Sequence, residues 1–133
     1  MPQVFEVYST DGKSSLRLRL HDRDYFVAEL RGVRLAVEGR VVTYLAAGFS
    51  AMFVEMAADW RGWTGEKAWQ SLEGELQLRA VTDGRGHVGL LAQLSEGAPP
   101  VWTVTLSLAL EAGQLERLAR DARAFDVSVF GAV

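Results

Sequence analysis

The sequence AGFSAMFVEMAADW, residues 47–60, is where the spacing of apolar residues changes and the fold class is decided. Its apolar residues recur every three or four positions, which predicts a helix over residues 47–60 that ends before Gly62. The stripe consists of Phe49, Met52, Phe53, Met56, Ala57 and Trp60. A stripe of this kind is typical of a helix face that packs on a core, so we infer no cofactor from it.

The residues before this helix alternate with period two. In residues 15–21, three leucines alternate with serine, arginine and histidine, as in an antiparallel strand covered on one side. Turn-forming residues at 11–12, 22–24 and 31–32 separate four runs of this kind. The first forty residues therefore predict a four-stranded meander.

The residues after the helix alternate again. Residues 71–81 and 87–94 predict two strands, and residues 102–110 predict a third after a loop that contains two prolines. A second helix stripe begins near Gly113. We expect a single α+β domain over residues 1–133, with an antiparallel sheet of about seven strands in the order ββββ-α-βββ-α. Both amphipathic helices are expected to pack on one face of that sheet, which leaves a polar face in solvent.

The composition excludes several classes of protein. The 133 residues fit one domain, and 49% of them are apolar, which is enough for a core. The absence of cysteine excludes disulfides, thiolate metal sites and a cysteine nucleophile. The net charge of −3 argues against a nucleic-acid-binding surface. Because neither a signal peptide nor an apolar segment of about 20 residues is visible, we expect a cytoplasmic protein without membrane contact.

The densest local signal is a segment that contains three of the four tryptophans within ten positions. Tryptophan and arginine among glycines and charges are typical of protein-binding hot spots. The alternative is that the tryptophans plug this loop onto the core. The candidate binding residues are Trp60, Arg61, Trp63, Glu66, Trp69, Glu73 and Glu75.

The sequence offers no complete set of catalytic or metal-binding groups. Glu73 and Glu75 are expected on one face of a strand with Glu66 close by, and paired acids can serve glycoside hydrolysis or metal binding only where a cleft brings them together. An acidic recognition patch, or a solvated strand face, suits them better. His21 and His87 are too few for a zinc site, and no phosphate-binding loop is present. We therefore assign no catalytic residue, metal or cofactor.

Four short motifs carry a resemblance to a known family. They are AADWRGW at residues 57–63, SLEG at 71–74, GHV at 86–88 and LEAGQL at 110–115. With them the chain resembles, over nearly its whole length, a family of small actinobacterial proteins of unknown function, which implies no activity. The helix, three-strand, helix layout of the second half is also similar to WapI-type immunity proteins, which neutralise secreted or contact-delivered toxins. That likeness is one of arrangement and implies no functional residue.

Three hypotheses for function follow. The leading one is a non-enzymatic protein-binding module, in its finer form an immunity-type protein that neutralises a basic toxin through the tryptophan-rich segment and its glutamates. The rival is a small-molecule-binding protein or minor hydrolase with a Trp- and Glu-lined pocket between helix 47–60 and the sheet. The third is a homodimer formed through an edge strand, such as the one that follows Pro100.

Overall fold

A computed structural model of the chain describes residues 4–42 and 49–130, which form two four-stranded antiparallel sheets and two α-helices. The first sheet and the helix after it consist of β1 (Val4–Tyr8), β2 (Ser15–Leu20), β3 (Tyr25–Gly32), β4 (Leu35–Val42) and α1 (Phe49–Ala58). The second sheet and its helix consist of β5 (Lys67–Gln70), β6 (Leu76–Thr82), β7 (His87–Glu96), β8 (Trp102–Glu111) and α2 (Leu115–Phe130). A 3-10 turn, Ala112–Gln114, leads into α2. Within each sheet every strand pairs with its neighbour in sequence.

The expectation of one sheet of about seven strands is wrong, although the α+β class holds. The described residues contain eight strands in two sheets, in the order ββββ-α-ββββ-α. The strand that sequence reasoning missed is β5, whose four residues, KAWQ, are too few to show an alternating pattern. Because the second half has four strands, the three-strand layout on which the likeness to WapI-type immunity proteins depended is also wrong.

The predicted strand over residues 71–81 begins five residues later than expected. Residues 71–74 form the turn between β5 and β6, in which the Gly74 N–H donates to the Ser71 carbonyl at 2.9 Å. Gly74 has a φ of 76°, which glycine adopts without strain. The alternation of leucine and glutamate through SLEGEL resembles a strand, but the turn glycine ends the pattern.

The helices pack differently from the expected arrangement on one sheet face. They contact each other, α1 also contacts β5, and α2 also contacts β1, so the helix pair joins the two sheets. The described part of α1 begins at Phe49, and residues 47–48 of the predicted helix lie outside the described residues. Asp126 of α2 accepts the Ser50 N–H at 2.9 Å, which satisfies a donor in the first turn of α1.

One hydrophobic core contains the inward faces of both sheets and of both helices. Phe5 of β1, Phe53 of α1 and Phe125 of α2 surround Phe49, with ring centroids 5.2, 5.5 and 6.0 Å from its own. Trp69 of β5 packs edge-on against Phe49 at 5.3 Å. The aromatic cluster therefore draws residues from both halves of the chain.

The two sheets are also joined by hydrogen bonds at the end of β8. The turn between β1 and β2 docks there, with the Thr10 N–H donating to the Ala109 carbonyl at 2.8 Å and the Ala109 N–H donating to Ser9 Oγ at 3.0 Å. Ser14 Oγ donates to the Ser107 carbonyl at 3.0 Å. This end of β8 is thus covered by the first sheet.

The turn between β6 and β7 is organised by Asp83. Its carboxylate accepts the Arg85 N–H at 2.7 Å and the His87 N–H at 3.2 Å, and it contacts His87 Nδ1 at 2.7 Å. The Arg85 N–H and then the His87 ring lower the pKa of Asp83 to about 2. In turn, the hydrogen bond to Asp83 raises the pKa of His87, and the negative charges of Asp83 and Glu111 add to that effect.

We predict that replacing Asp83 by Asn lowers the pKa of His87, because the variant loses the carboxylate that stabilises the imidazolium. An NMR titration of the His87 ring in the wild type and in Asp83→Asn measures the difference. Because its folded-state pKa is raised, the stabilisation from His87 is present below pH 6.5 and is lost as the pH rises through that pKa. Equal His87 titration curves in the two proteins would contradict this account.

Candidate protein-binding site

The tryptophan-rich segment begins at a tight turn after α1. The Gly62 N–H donates to the Asp59 carbonyl at 2.8 Å, and Gly62 has a φ of 130°, where glycine is favoured. A Cβ at this position would lie 3.2 Å from the backbone of Gly84. The sequence DWRGW thus folds against the β6–β7 turn, and Trp63 follows directly beside β6.

Two of the three tryptophans in the segment belong to the edge of the core. Trp63 is half-buried, donates through Nε1 to the Ala80 carbonyl at 3.3 Å and has Lys67 Nζ 5.2 Å from its ring centroid. Trp69 is half-buried against Phe49. Trp63 and Trp69 therefore fit the alternative in which the tryptophans anchor this segment to the core, and they fit the interpretation as binding hot spots less well.

Trp60 is the tryptophan that faces solvent. It lies beyond the end of α1, its side chain is 53% exposed, and the Arg61 guanidinium lies 5.0 Å from its ring centroid. This cation–π contact holds the two side chains together on the surface. Of the predicted binding residues, Trp60 and Arg61 are therefore the pair that the structure brings together and leaves accessible.

A groove of about 430 Å³ lies beside Trp60, between the end of α1 and the beginning of α2. We call it the Trp60 groove. It is lined by Ala57, Ala58, Trp60, Ala112, Gly113, Leu115 and Glu116. Sequence reasoning missed the four residues from 112–116, since they follow β8 and only the packing of the two helices brings them to Trp60. The LEAGQL motif includes three of these residues, but the sequence does not indicate what they contact.

The three glutamates do not form the expected acidic patch. Glu66 precedes β5 and Glu73 lies in the turn after it, so they stand at opposite ends of a strand of about 13 Å. Both are exposed, whereas Glu75 is half-buried. Glu73 and Glu75 do not lie on one strand, because both belong to the connection between β5 and β6, which ends before Leu76.

Glu75 connects the two sheets. Its Oε2 accepts the Val42 N–H at 2.9 Å at the end of β4, and its Oε1 accepts Ser71 Oγ–H at 2.7 Å. Ser71 is fully buried, and its Oγ also accepts the Leu76 N–H at 3.1 Å. With both oxygens occupied by internal donors, Glu75 has a structural role and is poorly placed as an acid–base group.

We predict that Glu75→Ala lowers the free energy of unfolding by about 1–3 kcal/mol, because the Val42 N–H and the Ser71 hydroxyl lose their acceptor. Urea unfolding measures the change. Glu73→Ala is the matched control, and we expect it to change stability by less than about 0.5 kcal/mol, as exposed substitutions usually do. Equal effects of the two substitutions would show that Glu75 is not a connection between the sheets.

Glu73 and Glu75 do line one cavity, of about 390 Å³, together with the proline loop that precedes β8. His21, one of the two histidines judged too few for a zinc site, stacks on Tyr25 with ring centroids 4.6 Å apart. Its neighbour Asp22 accepts the Asp24 and Tyr25 N–H groups and closes a turn. Among residues 4–42 and 49–130, no three acidic or histidine side chains cluster as a metal site would require.

Taken together, these features define a two-sheet α+β protein with an exposed Trp–Arg pair beside an interhelical groove. Residues 8–127 match the model of a protein family described as "Family of unknown function (DUF6228)", and the chain belongs to that family. No curated protein sequence matches the chain.

A solved structure supports the fold. The structure titled "Crystal structures of trypanosoma bruciei MRP1/MRP2" aligns with a TM-score of 0.53 and 14% identity, over 98% of this chain and 88% of the other. At this identity the match concerns the fold alone.

In the part of the chain that the structure describes, no helix is long and apolar enough to cross a membrane.

Proposed function

We propose that this protein is a non-enzymatic protein-binding module that uses the Trp60 groove. The observation that carries the proposal is the exposure of Trp60, at 53%, next to a groove of about 430 Å³. Exposing a tryptophan side chain to water is energetically unfavourable. Tryptophan and arginine are both enriched among the residues that dominate binding at protein interfaces. The contact with Arg61 keeps the indole ring on the surface and reduces the entropy that binding would cost.

The partner would insert an apolar side chain between the helices. Four of the groove residues are alanine or glycine, and Leu115 adds an apolar wall. Small residues leave space at the surface for an anchor from another protein. Glu116 lies at the groove in the first turn of α2, where it would favour a basic residue beside the apolar anchor.

In its finer form, we propose that the partner is a basic toxin and that the protein is an immunity-type protein. Two features support this proposal: the net charge of −3, and the exposed carboxylates of Glu116 in the Trp60 groove and of Glu66 in the tryptophan-rich segment. Charge of opposite sign speeds association and selects partners. Glu75 takes no part in this proposal, since internal donors occupy both its oxygens.

The rival hypothesis of a small-molecule pocket or minor hydrolase has less support. The pocket expected between helix and sheet would be lined by Trp60 and by Glu66 or Glu73, but neither glutamate lines the Trp60 groove. In the cavity where Glu73 and Glu75 meet, Glu75 is held by two hydrogen bonds. The geometry therefore favours binding of a protein over acid–base chemistry.

We predict that Trp60→Ala weakens partner binding by at least about tenfold, as the loss of a hot-spot side chain does, without changing the fold. The partner to test is the product of the neighbouring gene, co-expressed with the chain and measured by calorimetry. Leu72→Ala is the matched control, because Leu72 is 50% exposed and lies outside the groove.

The outcomes separate the two levels of the proposal. Binding that depends on Trp60, with suppression of the neighbour's toxicity, supports both. Binding that depends on Trp60 but involves a harmless neighbour rejects the immunity form alone. A partner whose affinity is equal for the wild type and Trp60→Ala would reject the Trp60 groove as the binding site.

A further inference from the structure

The four edge strands of the two sheets differ in how they are protected from pairing with other chains. An exposed edge is a template for another strand, and proteins block it with charges, short strands or covering segments. β1 contains Glu6, β4 contains Glu38 and Arg40, and β5 has only four residues, one of them Lys67. These three edges carry the usual protection.

The fourth edge, β8, is long and has no charge until its last residue. Residues 101–110 read VWTVTLSLAL, and the strand ends at Glu111. Its last third is covered, because the β1–β2 turn hydrogen-bonds to Ser107 and Ala109. The stretch from Trp102 to Leu106, which we call the open edge, has no such cover among the described residues.

The backbone groups of the open edge point away from the sheet at alternate residues. Ala109 directs both its N–H and its carbonyl toward the β1–β2 turn, on the side opposite β7. Because the register between β7 and β8 is continuous, Thr103 and Thr105 have the same orientation. Their backbone groups on this side have no partner in the described part of the chain, and both residues are exposed.

We infer that the open edge binds the open edge of a second copy of this chain, as an antiparallel pair with its two-fold axis at Val104. In this register Thr103 faces Thr105 of the second copy, and the two exchange both backbone hydrogen bonds. Val104 faces its own counterpart, and Trp102 faces Leu106. Each threonine thus meets a threonine and each apolar residue meets an apolar residue, both of which are favourable cross-strand pairs.

The absence of charge favours a second copy over an unrelated strand. In a two-fold pairing, both strands have the same sequence, so charged residues on the strand can come to lie opposite residues of like charge. The open edge has no charged residue and avoids this repulsion. The surroundings fit as well. Val101 is 83% exposed and Val33 is 69% exposed, the two highest values among the large apolar residues described.

These two valines flank the open edge. Val101 precedes Trp102, and Val33 follows Gly32, at which an added Cβ would lie 3.2 Å from Leu106. In the antiparallel register, Val101 of one copy reaches the end of the other copy's open edge, next to Ser107, whose carbonyl accepts Ser14 Oγ–H. Pairing would therefore cover apolar surface that the single chain leaves in water. The pairing does not use the Trp60 groove, so it is independent of the proposed function.

The first test uses charges at the paired threonines and light scattering combined with size-exclusion chromatography. We expect the wild type to be a dimer whose fraction rises with concentration. The double variant Thr103→Lys/Thr105→Lys opposes lysines at both pairs and should weaken dimerisation by at least about tenfold. The double variant Thr103→Lys/Thr105→Glu opposes lysine to glutamate at both pairs and should restore it. A wild type that is monomeric at every concentration, or two variants that dimerise equally, would overturn the inference.

The second test uses the absence of cysteine from the chain. Val104→Cys places one thiol at the two-fold axis, where the facing Cα atoms of a non-hydrogen-bonded pair are about 4.5 Å apart, within disulfide range. Ser107→Cys is the control on the same strand, since its two copies would lie far from each other. Oxidation should cross-link the Val104→Cys protein and not the Ser107→Cys protein. Equal cross-linking of both would contradict the register and with it the proposed pair.

Discussion

Phe49 is the residue on which the arrangement of the two halves depends. Its ring contacts Phe5 of the first sheet, Phe53 of its own helix, Phe125 of the second helix and Trp69 of the second sheet, all at centroid distances of 5.2–6.0 Å. Phe26 of β3 joins through Phe125 at 5.7 Å. Aromatic side chains bury large areas and prefer such edge-on contacts, so this cluster connects the two halves through apolar contacts. The sheets also contact each other directly, with β3 and β4 against β7, so the core between the halves consists of the cluster and these contacts.

The positions of the surface features follow from this connection. Packing α1 against α2 brings the start of α2 beside Trp60, which creates the groove. Docking of the first sheet at the end of β8 covers Ser107 and Ala109 and leaves the open edge from Trp102 to Leu106 exposed. The arrangement of the two sheets therefore determines both candidate sites. The partner site lies between the two helices, and the dimer site is the part of β8 that the first sheet leaves uncovered.

The sequence predicted the elements better than it predicted their assembly. Period-two alternation located β1 to β4, and the stripe from Phe49 to Met56 located α1, because burial on one face leaves a periodic signal. The strand β5 left no such signal, since four residues that include Lys67 and Gln70 cannot display a pattern. The division into two sheets depends on β4 and β5 not pairing, and no local property of either strand records that.

The candidate site shows the same limit. The motif DWRGW identified the right segment, and the sequence left open whether its tryptophans were surface or core; burial assigns Trp63 and Trp69 to the core edge and Trp60 to the surface. Glu75 was expected to share an exposed patch with Glu73, but a turn glycine at 74 sends the two carboxylates to different roles. Residue type suggested the chemistry, and only the tertiary contacts decided which side chains were free to perform it.

Because the aromatic cluster spans both sheets, we expect the chain to unfold as one cooperative unit. Phe5 lies in the first sheet, while all four tryptophans lie within residues 60–102, so tryptophan fluorescence reports on the other half. Denaturant unfolding of Phe5→Leu, followed by tryptophan fluorescence and by amide signals of β2 and β3, tests this directly. The shared core predicts that both probes lose the same free energy, about 1–3 kcal/mol. An unchanged tryptophan transition, with earlier opening of β2 and β3, would contradict a core shared by the two sheets.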